Sequence, residues 1–395
     1  MTATESNPSF VAPRPEEVSI GVDVTCAEID TRIADLDGQR RVPADLYDAM
    51  VRRGLFRQLV PRELGGVGLS PLEWFEHGVR LAARDASVGW VVTQGAAELG
   101  WIANGGDPGW AAEVLADPAA VSASTIAGQG TFSIDDTTGT GTIQGRWGFD
   151  TGCHGATWIG GLCAILPAGD VPEFRFVWVP AERAEILDDW NPSGLLGSGS
   201  NSIVIPEQQA PITQSINVAE RADNDRGPYR TMVGNGNWPI AVSVAATQLG
   251  ASQRALDEAK TVLMRKLDPF GDSLTGDSGI QVEYMEAAAR WHAAHALVQR
   301  ELRSMWRQAE QHGEFDGDQR IRLRLATINA NETAVDVVGA MTRVTGTTTI
   351  NPMHPLTRAC RDVIALQGHI GTCRKATELA AEYHFDITDE LAQLV

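Results

Sequence analysis

Cysteine is scarce in this chain of 395 residues, and protein classes that depend on it can be excluded. There are only five cysteines, and no two of them are spaced as C-x-x-C. A sparse, odd-numbered set argues against a disulfide framework or a zinc knuckle. None of the eight histidines follows a glutamate by three residues, the spacing that holds a di-iron centre in a helical bundle. We therefore expect reduced thiols and no metal site.

Positive charge is also in short supply. The chain has 32 lysines and arginines against 51 aspartates and glutamates, a net charge of −19. This is the wrong sign for a surface that neutralises phosphates, so we expect no nucleic-acid partner and no binding to an anionic membrane. The apolar stretch around 240–246 is far shorter than the roughly 20 residues that span a bilayer. Because the start also lacks a signal-like segment, these features predict a cytoplasmic protein.

Hydrophobic periodicity divides the chain into a tail and three domains. Residues 1–24 are interpreted as a flexible N-terminal tail. In 25–116, apolar residues recur at helical spacing, which predicts a helical domain. In 117–236, short β-branched and aromatic runs alternate with turn residues, which predicts a small antiparallel β domain. From 237 to 395, long helical blocks with short joins predict a bundle of four helices, at 238–266, 279–312, 319–345 and 355–391.

Residues 211–237 are polar and rich in glycine, so this stretch is either a loop that covers a pocket or a plain linker. The common nucleotide and hydrolase signatures are missing. The chain has no G-x-x-x-x-G-K-[ST] and no G-x-S-x-G, and its glycine clusters lie among strands instead of opening a helix. A P-loop, a dinucleotide-binding fingerprint and a serine nucleophile elbow are therefore excluded.

Four segments resemble the acyl-CoA dehydrogenase superfamily. Residues 61–69 resemble its P-x-x-x-G-G-x-G-L loop, and 355–362 resemble its P-L-x-R-x-x-R-D helix start. Residues 147–153 and 194–201 are similar to W-x-F-S-S-G-C and G-L-R-G-T-G-S-N of its flavin-dependent monooxygenase branch. The resemblance covers nearly all of the chain after about Thr25. It implies an α+β, mostly α fold with an N-terminal helical domain, a central small β-barrel or sheet domain, and a C-terminal four-helix bundle.

One position distinguishes the dehydrogenases of this superfamily from its monooxygenase branch. Many dehydrogenases of this superfamily carry a catalytic glutamate about nine residues beyond the second arginine of the helix start. Here that position holds Ile370, which cannot abstract a proton. The preceding residue, His369, matches a histidine of the monooxygenase branch, which includes the oxygenases that hydroxylate 4-hydroxyphenylacetate. The resemblance therefore favours a monooxygenase.

Membership of that branch implies the oxygenase component of a two-component system. Reduced flavin, FADH2 or FMNH2, would come from a separate NAD(P)H-flavin reductase and react with O2 to a C4a-hydroperoxide that hydroxylates a small aromatic or natural-product substrate. The branch also implies a homotetramer. Three alternatives stay open: an acyl-CoA dehydrogenase or oxidase, an N-oxygenase of an amino sugar or amine, and a non-catalytic binding member of the fold.

The resemblance also implies site residues. Cofactor contacts would come from the side chains of Trp147, Phe149, Thr151, Ser122, Ser124, Thr125 and Arg265. The candidate catalytic residues are His369, Thr151 and Glu98. Thr151 would stand near flavin N5, and His369, with an ordinary pKa of about 6.5, would take a phenol proton. Glu98 follows a G-W-V segment where phenol hydroxylases carry a histidine, so a carboxyl there suits a cationic or hydrogen-bond-donating substrate.

Overall fold

The computed structural model describes residues 12–168, 172–217, 226–234 and 237–387. Six helices form the N-terminal domain: α1 (Pro15–Asp30), α2 (Ile33–Gln39), α3 (Ala44–Arg52), α4 (Pro71–Ala82), α5 (Ala86–Gly105) and α6 (Pro108–Ala116). Helix α4 begins at a capping box, in which Ser70 and Glu73 satisfy each other's backbone amides. Helix α5 is buried on all sides from Ala86 to Asn104, so it is the central helix of the domain.

The predicted flexible tail is too long. Helix α1 begins at Pro15, and Val18 and Val22 on one of its faces are fully buried. Proline at the first helical position and two glutamates in the first turn favour a helix start there. The correction applies to 15–24, whereas residues 1–11 of the predicted tail lie outside the described residues.

The central domain is one sheet of seven described strands: β1 (Ser122–Asp135), β2 (Thr140–Asp150), β3 (Trp158–Leu166), β4 (Phe174–Pro180), β5 (Glu185–Ile186), β6 (Asn201–Pro211) and β7 (Ser215–Ile216). Their order is β5-β6-β2-β1-β3-β4-β7. The expectation of a purely antiparallel sheet is wrong for one pair, because β1 and β3 run parallel. The register of that pair shifts between Thr125 and Gly130, where β1 bends.

The side chain of Trp147 packs against glycines of the neighbouring strands. A Cβ atom at Gly130 would lie 1.9 Å from its ring, and one at Gly161 would lie 2.4 Å from it. Its indole Nε1 donates to the Leu162 carbonyl at 2.9 Å. The glycines of the neighbouring strands therefore make room for one large, fully buried side chain.

The C-terminal domain contains α7 (Trp238–Leu263), α8 (Ser278–His312), α9 (Gly317–Thr345), α10 (Pro355–Leu366) and α11 (Arg374–His384). The three long blocks were predicted correctly, but the block at 355–391 is two helices. A single turn, Ile370–Thr372, separates them, and His369 caps that turn by accepting from the Gly371 amide. No helix within the described ranges is long and apolar enough to cross a bilayer.

The stretch at 211–237, predicted as a covering loop or a linker, is only partly described, because 218–225 and 235–236 lie outside the described residues. Within 226–234, the Tyr229 hydroxyl donates to the Leu69 carbonyl at 3.0 Å. Met232 is fully buried against Gly100 of α5. This part of the stretch therefore packs onto the N-terminal domain.

Candidate functional site

Residues from all three domains meet where β2 ends. The indole Nε1 of Trp90, on α5, donates to the Thr151 hydroxyl at 3.0 Å. The ring of His369, between α10 and α11, packs edge-on against Trp90 with centroids 5.3 Å apart. The hydroxyls of Thr151 and Ser200 lie 2.9 Å apart, so the contact continues into the segment before β6. The structure thus brings the predicted residues Thr151 and His369 to one place through Trp90.

The backbone around Thr151 is shaped to expose one aromatic side chain. Phe149 has a φ of 61° and Gly152 a φ of 75°, so the chain turns sharply on both sides of Thr151. A left-handed conformation is rare for a bulky residue and is often retained at functional sites. The Phe149 ring is 66% exposed and contacts Trp190 edge-on, with centroids 6.0 Å apart. The turn therefore places an accessible aromatic face beside the Thr151 hydroxyl.

The ring of His369 accepts a hydrogen bond from the backbone. Its Nδ1 accepts from the Gly371 amide at 3.1 Å, which places the proton of the neutral ring on Nε2. Burial, helped by the nearby Arg324 cation, lowers the pKa of His369 to about 4. The ring is therefore neutral at pH 7 and presents an N–H group. This differs from the proton acceptor predicted from the sequence, because the backbone amide occupies the lone pair of Nδ1.

Glu98 lies two turns beyond Trp90 on α5 and is 2% exposed. The Ser122 hydroxyl donates to its Oε2 at 3.4 Å. Burial, and then the charge of Asp150, raise the pKa of Glu98 well above its usual range, while hydrogen bonds from Ser124 and Ser122 oppose the shift. The structure therefore brings Glu98 together with Ser122 and Ser124, two residues that the sequence assigned to the cofactor.

Sequence reasoning missed Asp150. Its side chain is completely buried, and neither carboxyl oxygen has a hydrogen-bond partner. Burial raises the pKa of Asp150 well above its usual range. A signal was present, because Asp150 stands at the first serine of the W-x-F-S-S-G-C pattern and departs from it.

The remaining predicted residues are placed differently. Thr125 donates to the Gly148 carbonyl at 2.9 Å and holds the bend of β1 near the site. Trp147 faces the sheet interior, so its side chain does not line the open edge. Arg265 lies beyond the end of α7, whose start contacts Gly371 through Ile240. At 1.5 Å per residue, Ile240 and Arg265 are about 38 Å apart along the helix axis. Within one chain, Arg265 is therefore not brought to the other candidates.

The site suits a flat ring system with polar edges, such as the isoalloxazine of a flavin. Phe149 offers an exposed apolar face, and the neighbouring Thr151 offers a hydroxyl that accepts from Trp90. Within the described ranges, no group of three or more His, Cys, Asp or Glu side chains is arranged to hold a metal ion. Three domains in this order, meeting at such a site, define the class: an enzyme with the acyl-CoA dehydrogenase fold.

Similarity to known proteins indicates the branch of the superfamily. Residues 22–120 match the family model of the acyl-CoA dehydrogenase N-terminal domain, and 242–374 match that of the C-terminal domain. Indole-3-acetate monooxygenase of Pseudomonas putida is 27% identical over 347 residues, 86% of this chain and 86% of its own length. The FADH(2)-dependent resorcinol hydroxylase, oxygenase component, of Rhizobium sp. strain MTP-10005 is 29% identical over 349 residues, 84% of each chain.

The crystal structure of the HsaA monooxygenase from M. tuberculosis shares the fold, with a TM-score of 0.88 at 22% identity over 97% of this chain and 100% of that chain. This chain belongs to the acyl-CoA dehydrogenase family, and it is a flavin-dependent monooxygenase. It is an oxygenase component that uses reduced flavin, which confirms the fold, the enzyme class and the cofactor predicted from the sequence. Such a component implies a separate flavin reductase.

Proposed function

We propose that this oxygenase hydroxylates a small aromatic substrate held beside Trp90, Thr151 and His369. The observation that carries the proposal is the contact from His369 through Trp90 to Thr151, because it joins residues of three domains at one point. The relatives named for indole-3-acetate and resorcinol support a small aromatic ring. When bound, reduced flavin supplies the electrons that activate O2 and allow one oxygen atom to reach the substrate.

Thr151 orients the edge of the flavin ring in this proposal. Its hydroxyl already accepts from Trp90 Nε1 and shares a hydrogen bond with Ser200. Ser200 in turn lies 2.8 Å from the Ser198 hydroxyl, so this chain of hydroxyls can fix the direction of the Thr151 proton. Phe149 covers one side of the ring with its exposed face. Ser122, Ser124 and Thr125 contribute through the bend of β1, while Trp147 shapes the sheet beneath them.

His369 stabilises negative charge on the substrate oxygen. A neutral imidazole with its proton on Nε2 can donate to a phenol oxygen as the ring becomes electron-rich. It does not need to change its own protonation state at neutral pH, since its pKa is about 4. The alternative acyl-CoA dehydrogenase chemistry is disfavoured, because the half-exposed Ile370 offers no base at the glutamate position.

Three finer features complete the proposal. The reductase partner is NAD(P)H-dependent. The protein is a homotetramer, as the resemblance to the branch implies, and Arg265, about 38 Å from the start of α7, would reach a flavin only in a neighbouring subunit. The location is cytoplasmic, which all five unpaired cysteines support.

The site assignment is tested by the affinity for reduced flavin. Anaerobic titration of reduced FAD and reduced FMN is compared for the parent, Phe149→Ala and Thr151→Val. Loss of an aromatic contact worth about 0.5–1.5 kcal/mol predicts affinity weaker by about 2- to 10-fold for Phe149→Ala. Phe174→Ala, which removes an aromatic ring that is 49% exposed at the start of β4, is the control and should bind like the parent. Equal affinity for all four proteins would remove Phe149 and Thr151 from the flavin site.

A further inference from the structure

Glu98 and Asp150 form a buried pair of carboxyls between α5 and the end of β2, and ring hydroxylation as proposed above does not use them. Asp150 has no hydrogen-bond partner for either oxygen. Glu98 is contacted by Ser122, whose hydroxyl donates at a long 3.4 Å, and by the side chain and backbone of Ser124. Buried carboxyls are rare in proteins unless another group pairs with them, so we expect a further group to bind to these two.

Among the residues that the structure describes, no cationic side chain supplies that partner. Within the described ranges, neither carboxyl takes part in an ion pair, and burial alone shifts the pKa of Asp150. The other titratable groups that face the pair are Tyr47 of α3 and Cys153 after β2. Burial, with the nearby carboxyls adding to it, raises the pKa of both, so they are neutral at pH 7. The two carboxyls of the pair therefore have two neutral neighbours, and the described residues place no base beside them.

A third polar residue connects the pair to the substrate site. Gln94 lies midway between Trp90 and Glu98 on the same face of α5, and its Nε2 is buried without a partner. Eight residues of helix correspond to about 12 Å, which sets the scale of a ligand that contacts both ends. One face of α5 thus leads from the aromatic contact at Trp90 to the carboxyls.

We propose that Glu98 and Asp150 recognise a protonated amine on the substrate, while the aromatic ring of the substrate lies beside Trp90 and His369. The inference rests on the proposed function, because it takes the position of the ring from it. An ammonium group has three donors for the unpartnered oxygens of Asp150, and its positive charge favours ionisation of the buried carboxyls. The substrate class is therefore an aromatic amine with its ring and amino group separated by a short chain.

Three probes with the same ring and similar chains, but different charge, test this inference. Tyramine is a cation, 4-ethylphenol is neutral, and 4-hydroxyphenylacetate is an anion at pH 7. Binding to the full chain is measured by anaerobic equilibrium dialysis with reduced FAD present, so no oxygen transfer occurs. Charge-assisted hydrogen bonds predict that tyramine binds about 10- to 100-fold more tightly than 4-ethylphenol, with the anion weakest.

Variants of matched shape test whether Glu98 and Asp150 cause the preference for tyramine. Asp150→Asn and Glu98→Gln should each reduce the preference for tyramine over 4-ethylphenol by about 10-fold or more, while 4-ethylphenol affinity stays within about 2-fold and reports an intact site. Glu76→Gln, in a half-buried glutamate of α4 that pairs with His295, is the control and should keep the preference.

Binding of tyramine no tighter than 4-ethylphenol would overturn the inference, as would a preference that survives both substitutions. Failure of the proposed function has a different signature, because it would abolish ring oxygenation in air and leave the anaerobic preference for tyramine unchanged.

Discussion

Arg358 joins the C-terminal domain to the N-terminal domain through ion pairs, and its removal gives a sharp prediction. From α10, its Nη2 contacts Asp37 Oδ1 of α2 at 2.8 Å, and its Nη1 pairs with Asp85, the cap of α5. Its side chain is only 11% exposed. One turn further on, Asp362 accepts from the Leu195 amide at 2.7 Å, which attaches the β domain to the same helix. We predict that Arg358→Met destabilises the whole chain.

The size of the effect follows from burial and chain length. Removing one member of a buried ion pair costs about 3–5 kcal/mol, because the remaining carboxylates stay buried without their cation. At roughly 2.1 cal/mol/K per residue, 395 residues have an unfolding entropy of about 0.8 kcal/mol/K. The melting temperature should therefore fall by about 4–6 °C for Arg358→Met.

Differential scanning calorimetry at pH 7 measures this shift. The control is Arg343→Met, because Arg343 pairs with Glu283 at 2.7 Å but is 64% exposed. An exposed pair contributes about 1 kcal/mol at most, so the control should melt within about 1 °C of the parent. If Arg358→Met melts no lower than Arg343→Met, the ion pairs of Arg358 do not hold the domains together and the reasoning is wrong.

Two predictions concern titration. The pKa of Asp150 is raised in the folded state, so ionisation destabilises the fold increasingly as the pH rises above the ordinary carboxyl range of about 4. Asp150→Asn should therefore melt higher than the parent at pH 8, with a gain that shrinks towards pH 5, and a lower melting temperature at pH 8 would contradict this. Because the pKa of His369 is about 4, kcat/KM for hydroxylation should show no ionisation of this ring between pH 6 and 8. A step near pH 6.5 that disappears in His369→Asn would restore the general-base role.

The local spacing of apolar residues was sufficient to predict most of the fold. Helical spacing in 25–116 and the long blocks after 237 predicted the elements that the structure contains, because amphipathic periodicity is a property of each helix by itself. Two predictions were wrong. In one case the signal in the sequence is short, and in the other the structure depends on segments that are distant along the chain. Helix α1 was missed because only Val18 and Val22 mark its buried face within the first two turns. The parallel pairing of β1 with β3 depends on how distant segments meet, and no residue within either strand specifies it.

The site was predictable only in part. Motifs placed Thr151 and His369 on the correct segments, and the structure brings those segments together. The role of Trp90 as the link between them depends on three separate segments, so spacing along the chain could not reveal it. Asp150 was missed for a different reason: an acidic residue is expected at the surface, and only the fold shows that this one is buried without a partner.

We propose that this chain transfers one atom of O2 to a small aromatic substrate by using reduced flavin. The most direct test mixes the protein anaerobically with reduced FAD and a phenol from the tyramine series, then adds ¹⁸O₂ and analyses the product by mass spectrometry after one turnover. We expect a hydroxylated product that contains one ¹⁸O atom. Quantitative release of hydrogen peroxide with no labelled product, at a rate equal to that of free reduced FAD, would contradict it.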